Sequence, residues 1–267
     1  MQESMPSWEA LRARFDACGL AFAFVIPVYN HARNLRSVVL AARASGAPVI
    51  VVDDGSTDGA ADVLENSGAV LVRHPENRGK GAAILTGLQT ASLAPIGARF
   101  VVTVDADGQH RPDDARNLLA ALWLDATPAP RPCLVLGSRA GMGGRSVPWS
   151  SRMGRRFSGF WVWASGGPTL SDSQTGFRVY PVPETLSLPT RARRFQFEVE
   201  VLVQARRAGI PIREAEVGVD YDPPGGRVSH FHPWRDFGRN AATFTRLIAT
   251  RFVPRLPSQT KEDEDGR

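Results

Sequence analysis

The sequence predicts an α/β domain built from parallel βαβ units. Three observations carry that reading. Short β-branched runs recur at residues 21–26, 49–52, 70–72 and 100–104. Segments with helical spacing separate them. Acidic, Gly-containing turns leave the second and fourth runs, where an open α/β sheet presents its carboxyl edge to ligands.

Each element has its own signal. Residues 1–20 read as a helical lead-in. Ala21 to Ile26 is a first strand, ended by Pro27, which cannot donate to a ladder. Leu35, Val38, Val39 and Ala42 fall on one side of a helix over 32–45. Val49 to Val52 is a second strand running into Asp53-Asp54-Gly55-Ser56-Thr57-Asp58. A short helix is expected over 59–67, a third strand at 70–72 and a helix over 81–91. Phe100 to Val104 is the fourth strand, and Pro112 to Leu124 a further helix. The Pro-rich turn 127–132 precedes a buried strand, Leu134 to Leu136, and a Gly-rich loop at 141–144. A helix is expected over 150–163. No internal repeat is present, and the polar tail 257–267 is expected to be disordered.

Composition narrows the class. A chain of 267 residues with 43% hydrophobic content suits one large α/β domain. Cys18 and Cys133 stand far apart, giving neither a disulfide framework nor a zinc spacing. No signal peptide and no run long enough to span a membrane is visible, so a cytoplasmic location is expected. The net charge is +5, with Lys80 and Lys261 the only lysines. Arginines crowd the second half, at 139–156, 191–194 and 227–255, which suits phosphate-bearing partners or an anionic membrane surface. No recognition helix or finger spacing supports nucleic acid as a partner.

The strongest chemical signal is Asp105-Ala106-Asp107-Gly108-Gln109-His110. Two carboxylates one residue apart leave a strand, and carboxylate oxygens are hard ligands for Mg²⁺ or Mn²⁺. Asp107 and Gln109 alternate on an extended segment and can face one ion. An Asx-type turn with solvated acids is the competing reading. For Asp53 and Asp54 the competing reading is N-capping of the next helix, which suits Ser56 and Asp58 best. Asn77-Arg78-Gly79-Lys80-Gly81 is a basic entry to a helix that lacks the longer phosphate-loop pattern, which rejects an ATPase. Arg78 or Lys80 can contact phosphate there, or the segment can simply cap the helix.

Taken in order, Val25-Ile26-Pro27-Val28-Tyr29-Asn30, Val51 to Asp58, Asn77 to Gly81, Asp105 to His110, Gly137-Ser138-Arg139 and Asp172-Ser173-Gln174-Thr175-Gly176-Phe177-Arg178 resemble a family 2 glycosyltransferase. The likeness is to the polyprenyl-phosphate (dolichol-phosphate type) mannosyl- and glucosyltransferase branch and spans about residues 22–236. It implies a single GT-A, Rossmann-like domain over 21–234 with a mixed, mostly parallel sheet flanked by helices. It implies an inverting, metal-dependent hexosyl transfer from a UDP- or GDP-linked sugar to a lipid-linked acceptor, with polyprenyl phosphate first. The resemblance assigns Pro27, Tyr29, Asn30, Asp53, Asp54, Arg78, Lys80 and Asp105 to the donor nucleotide, Asp54 being the first choice for the base. Asp107 and Gln109 become direct ligands of Mg²⁺ or Mn²⁺, with Asp105 on ribose or a metal-bound water. His110 is read as structural.

On the acceptor side, the resemblance places Arg139 and Arg152 on the acceptor phosphate. Arg156, Asp172, Gln174, Arg227 and Ser229 join them, the last two on a loop over 221–231. Arginine suits that task because its forked guanidinium is permanently charged; a solvated basic face is the alternative. An ionised phosphate attacks without a general base, so Asp105, Asp107, Arg139 and Arg152 form the expected catalytic set. With a hydroxyl acceptor, Asp172, Glu198 or Glu200 must instead supply the base. Residues 235–256 form a C-terminal helix with an apolar stripe of Phe237, Ala241, Phe244, Ile248 and Phe252 opposite Arg235, Arg239 and Arg246. That stripe suits either a membrane interface, giving a peripheral protein on the inner face of the plasma membrane, or the protein core. A non-catalytic nucleotide-sugar-binding module is the reading from a different class.

Overall fold

The computed structural model describes residues 5–123, 127–139, 159–219 and 233–251; of Arg139 and of 233–240 only the backbone is described. The parallel strands form as the β-branched runs require. They are β1 (Phe22–Val28), β2 (Val49–Asp53), β3 (Val70–Arg73) and β4 (Phe100–Thr103), followed by β5 (Leu134–Arg139), β6 (Arg178–Pro181) and β7 (Ile212–Val217). They make one seven-stranded sheet in the order β3-β2-β1-β4-β6-β5-β7. β6 is antiparallel to both β4 and β5; the other pairings are parallel.

Alternation along the strands divides the core into two layers. Phe22, Phe24, Ile26, Val49, Val51, Phe100, Val102, Val135 and Val179 face one side. They pack against α1 (Trp8–Ala17), α2 (Ala32–Arg43) and α4 (Ala115–Ala120). Ala23, Val25, Ile50, Val52, Val101, Leu134, Leu136 and Tyr180 face the other. There they meet α3 (Lys80–Ser92), α6 (Val182–Leu186) and α7 (Gln196–Arg207). Helical residues 159–164, here α5, and α8 (Pro233–Arg251) complete the described elements.

Several boundaries differ from expectation for identifiable reasons. The first strand runs past Pro27 to Val28. Its pairing with β4 stops at Val25↔Thr103, while that with β2 continues to Val28↔Asp53. The missing Pro27 N–H therefore ends one ladder and leaves the other intact. The lead-in helix begins at Trp8, where the Ser7 hydroxyl accepts Ala10 N–H at 3.1 Å. The helix expected over 59–67 is only a 3₁₀ turn, Asp62–Leu64, since Gly59, Asn66 and Gly68 take positive φ. Over 112–124, 3₁₀ turns flank the short α4. Arg139 is the last residue of β5 rather than a residue after it. Phe197 to Glu200 lie in the first turns of α7.

For the C-terminal helix, the structure bears on the two alternatives at Phe244. Phe244 and Leu247 are buried against Val162, Val199 and Val203, and Trp161 stacks on Phe244 at 5.8 Å. Ala241 is exposed, and Arg246 turns inward to Glu200 at 2.7 Å. At Phe244 the stripe therefore belongs to the core. Phe237 and Phe252 lie outside the described side chains. No helix among the described residues is long and apolar enough to cross a membrane.

Candidate active site

The chain passes from β1 outward to β2 and β3, then returns to place β4 on the other side of β1. That reversal opens a crevice at the carboxyl ends of β1 and β4, the usual ligand position in an open α/β sheet. The loops after β1, β2, β3 and β4 all leave this edge.

The first two loops are bonded together. Asn30, at φ 52°, donates its N–H to Ser56 Oγ at 3.0 Å and accepts Thr57 N–H on Oδ1 at 2.8 Å. Asp58 Oδ2 accepts Ala32 N–H at 2.8 Å, so it caps α2 from a neighbouring loop rather than a helix of its own. Asp53 is fully buried; its Oδ1 accepts Ser56 N–H at 2.8 Å and its Oδ2 lies 3.2 Å from Arg73 Nε. Asp54 is committed within the chain. Oδ1 meets His74 Nδ1 at 2.7 Å and Arg78 N–H at 2.9 Å, and Oδ2 accepts Gly79 N–H at 2.7 Å. Asp54 thus builds the turn that starts α3, with His74 anchored in turn on Thr86 at 3.0 Å. The Arg78 side chain is exposed.

The β4 loop carries the acids. Asp107 Oδ1 accepts Gln109 N–H at 3.0 Å, and its carbonyl accepts Asn34 Nδ2 from α2 at 2.8 Å. Gly108 turns the chain at φ 77°. Asp105, Asp107 and Gln109 are each partly exposed, whereas His110 is buried beside Phe177 at 5.2 Å. No group of three His, Cys, Asp or Glu residues able to hold a metal occurs among the described residues. A Mg²⁺-type site needs less, because phosphate and water complete its shell. The oxygen donors of Asp107 and Gln109 fit such an ion.

Lys80 joins this loop to α7. Its ammonium lies 2.7 Å from Asp105 Oδ1 and 2.9 Å from Glu198 Oε1. Burial works against the charge, but the two carboxylates outweigh it and hold the pKa well above the ordinary lysine range. A Cβ at Gly176 would collide with Asp105 Oδ2 and Lys80 Nζ, so this cluster needs glycine there. The segment 172–178 is fixed by Arg178, fully buried, which donates to Thr175 O at 2.7 Å, Ser173 O at 2.9 Å and Glu198 O at 2.7 Å. Burial raises the Tyr180 pKa, while Arg178 and Lys80 lower it and Glu198 raises it.

Of the candidate bases, Asp172 is buried with Oδ1 on Gln174 N–H at 3.1 Å. Glu200 holds Arg191 N–H at 3.0 Å, Ala192 N–H at 2.7 Å and Arg246. Glu198 shares the Lys80 ammonium with Asp105. The side chain of Gln174 is exposed. Tyr29 is half-buried just beyond β1. Arg139 ends β5 at the same carboxyl edge, and Arg152, Arg156, Arg227 and Ser229 lie outside the described residues. Sequence reasoning passed over Asn34, Arg73 and His74. The signal for the last two was their place at the carboxyl end of β3.

Residues 23–129 match the family model described as "Glycosyl transferase family 2". An uncharacterized glycosyltransferase of Mycobacterium tuberculosis is 33% identical over 211 residues, 79% of this chain and 89% of the relative. The chain belongs to glycosyl transferase family 2. Other relatives of this family 2 glycosyltransferase carry more specific names. The UDP-N-acetylglucosamine–dolichyl-phosphate N-acetylglucosaminyltransferase of Methanococcus voltae is 28% identical over 219 residues, 74% of this chain and 84% of the relative. The dolichyl-phosphate beta-glucosyltransferase of Drosophila melanogaster is 28% identical over 249 residues, 84% and 74%. Among solved structures, glucosyl-3-phosphoglycerate synthase from Mycobacterium tuberculosis, in complex with Mn²⁺, UDP-glucose and phosphoglyceric acid, superposes with a TM-score of 0.67. It is 20% identical, with 94% of this chain and 85% of that one covered. This likeness establishes the GT-A fold.

Proposed function

We propose that this family 2 glycosyltransferase moves a hexose from a nucleotide-diphosphate sugar to a lipid phosphate, with polyprenyl phosphate as the first candidate. One observation carries the reading: Asp105, Asp107 and Gln109 stand on the loop after β4, at the crevice beside β1, with the Lys80 ammonium fixed on Asp105. The dolichyl-phosphate names of two relatives support the acceptor class. Asp107 and Gln109 would hold a Mg²⁺ or Mn²⁺ ion. Such an ion, when bound, supplies charge neutralisation on the leaving diphosphate. The residues themselves position the donor: Tyr29, Asn30 and Asp53 on the nucleoside side, Asp105 and Lys80 nearer the sugar and phosphates. Arg139, with Arg152, would grip the acceptor phosphate, whose ionised oxygen attacks the anomeric carbon without a protein base. Membrane contact then follows from the acceptor, at the cytoplasmic face.

Transfer from a panel of UDP- and GDP-hexoses to polyprenyl phosphate in mixed micelles tests this reading. Arg139→Ala should cut acceptor use roughly 10- to 150-fold, the loss of one charge-assisted contact of ~1.5–3 kcal/mol, with nucleotide affinity nearly unchanged. One observation favours a second reading, a hydroxyl acceptor: the candidate base Glu198 meets the Asp105 cluster through Lys80. If transfer to a hydroxyl survives Arg139→Ala and is lost in Glu198→Gln, the second reading replaces the first.

A further inference from the structure

We infer that His74 is a positioning residue for sugar transfer, acting through Asp54 on the turn that aims the Lys80 ammonium at Asp105. The inference rests on the proposal above that Lys80 and Asp105 serve the sugar and phosphates of the donor. His74 directly follows β3, and its backbone N–H donates to Asp53 O at 2.8 Å. The residue is 4% exposed. A polar ring buried to that degree needs a partner at each nitrogen. Nδ1 lies 2.7 Å from Asp54 Oδ1, and Nε2 lies 3.0 Å from Thr86 Oγ1. Asp54 Oδ1 is an acceptor, since it also takes Arg78 N–H. Nδ1 therefore carries the hydrogen, and the Thr86 hydroxyl donates to Nε2 of that tautomer.

Asp54 passes this fixation on to α3. Its carboxylate accepts Arg78 N–H at 2.9 Å on one oxygen and Gly79 N–H at 2.7 Å on the other. Gly79 is the N-cap of α3 and has no side chain to bond the turn, so Asp54 holds it from the end of β2. The turn has little freedom: Gly79 sits at φ 100°, and a Cβ there would strike the Arg193 carbonyl and the Arg194 side chain. Lys80 comes next, as the first residue of α3, and its ammonium meets Asp105 and Glu198.

Thr86 stands on the same helix, ~9 Å further along its axis. The imidazole thus grips α3 at two heights, at its entry through Asp54 and in its second turn directly. Two fixed points set the height of the helix and its rotation about its axis, and with them the origin from which the Lys80 side chain extends. Packing alone needs neither nitrogen; His74 commits both to groups that fix α3. A misplacement of about 1 Å at a reacting centre is enough to cost ~100-fold in rate.

Steady-state release of nucleoside diphosphate by the full chain, from the active member of a UDP- and GDP-hexose panel with Mn²⁺, tests the inference. This readout registers transfer to any acceptor, water included. Each variant is assayed below its melting temperature, followed by circular dichroism. His74→Phe keeps a ring but loses both bonds; kcat should fall at least ~10-fold while KM for the donor stays within about twofold. His74→Asn puts an amide N–H where Nδ1 stands and should recover most of that kcat. Thr86→Val keeps the volume and should lower kcat about 2- to 10-fold, the scale of one neutral hydrogen bond. Lys80→Met should also lower kcat, and Thr86→Val should add no further loss in that background, because the cation it helps to aim is gone. Full kcat in folded His74→Phe overturns the inference. So does a His74→Asn no better than His74→Phe, or a Thr86→Val loss that multiplies in full with that of Lys80→Met. If His74→Phe does not fold, the Asn and Val arms decide. An unchanged kcat in Lys80→Met, or a wild type that releases no nucleoside diphosphate, overturns the donor-site reading, and this inference with it.

Discussion

Lys80 is the residue on which the site balances. Its ammonium bridges Asp105 and Glu198, so its removal leaves these two carboxylates without their shared cation in a partly buried space. Lys80→Met should destabilise the fold by about 3 kcal/mol, in line with breaking a buried ion pair, seen as a lower urea midpoint at constant slope. The sign of its pH dependence is fixed. A lysine with a raised folded pKa contributes stability that is complete below the unfolded value of about 10.4 and lost only as pH climbs through the folded value. Lys80→Met should therefore subtract the same increment at pH 6 and pH 9. Gly176→Ala should weaken donor binding by displacing Asp105, while inorganic phosphate or guanidine restores nothing. The acids of this cluster were legible in the sequence because Asp105 to Gln109 are contiguous. Its geometry was not, because Glu198 and Gly176 reach Lys80 only through the fold. The same holds for Asp54, the first choice for the base, whose bonds from the Arg78 and Gly79 N–H groups arise only in the fold.

At the scale of elements, packing explains both what was readable and what was missed. β1, β2 and β4 announce themselves because they are wholly buried and nearly all apolar. β7 was missed because it is an outer strand, Ile-Arg-Glu-Ala-Glu-Val, only half-buried and rich in charge. β6 was hidden by its opening residue: a fully buried arginine reads as a loop signal until its three carbonyl partners are seen. α1 is held by Phe15, whose ring meets Phe22 and Trp123 at 4.9 Å each. Phe15→Ala should cost ~3–5 kcal/mol. That lowers the melting temperature by roughly 2–4 °C per kcal/mol. Phe244→Ala should also lower it, because its ring packs on α7 and α5. Vesicle flotation of that variant, measured below its melting temperature, should match the wild type. Reduced flotation would restore a lipid-facing role to the ring.

For the whole molecule, the divalent ion is the test of how the edge loops act together. Chelation with EDTA should abolish sugar transfer, Mn²⁺ should restore it, and Asp107→Asn should need far more Mn²⁺ for the same rate. A rate indifferent to chelation would remove the ion from the reaction. The direction of β6 has a further consequence. Because β6 runs against its neighbours, β5 ends and β6 begins at the same rim of the sheet, the one that bears Asp105. The connection from β5 to β6 therefore begins and ends at that rim. A change of length in that connection should leave every ladder pairing in place, since loop length costs little once the ends are fixed. Chimeras joined at Arg139 and Arg178 test whether this connection sets the acceptor: acceptor preference should follow the exchanged segment while nucleotide affinity stays unchanged.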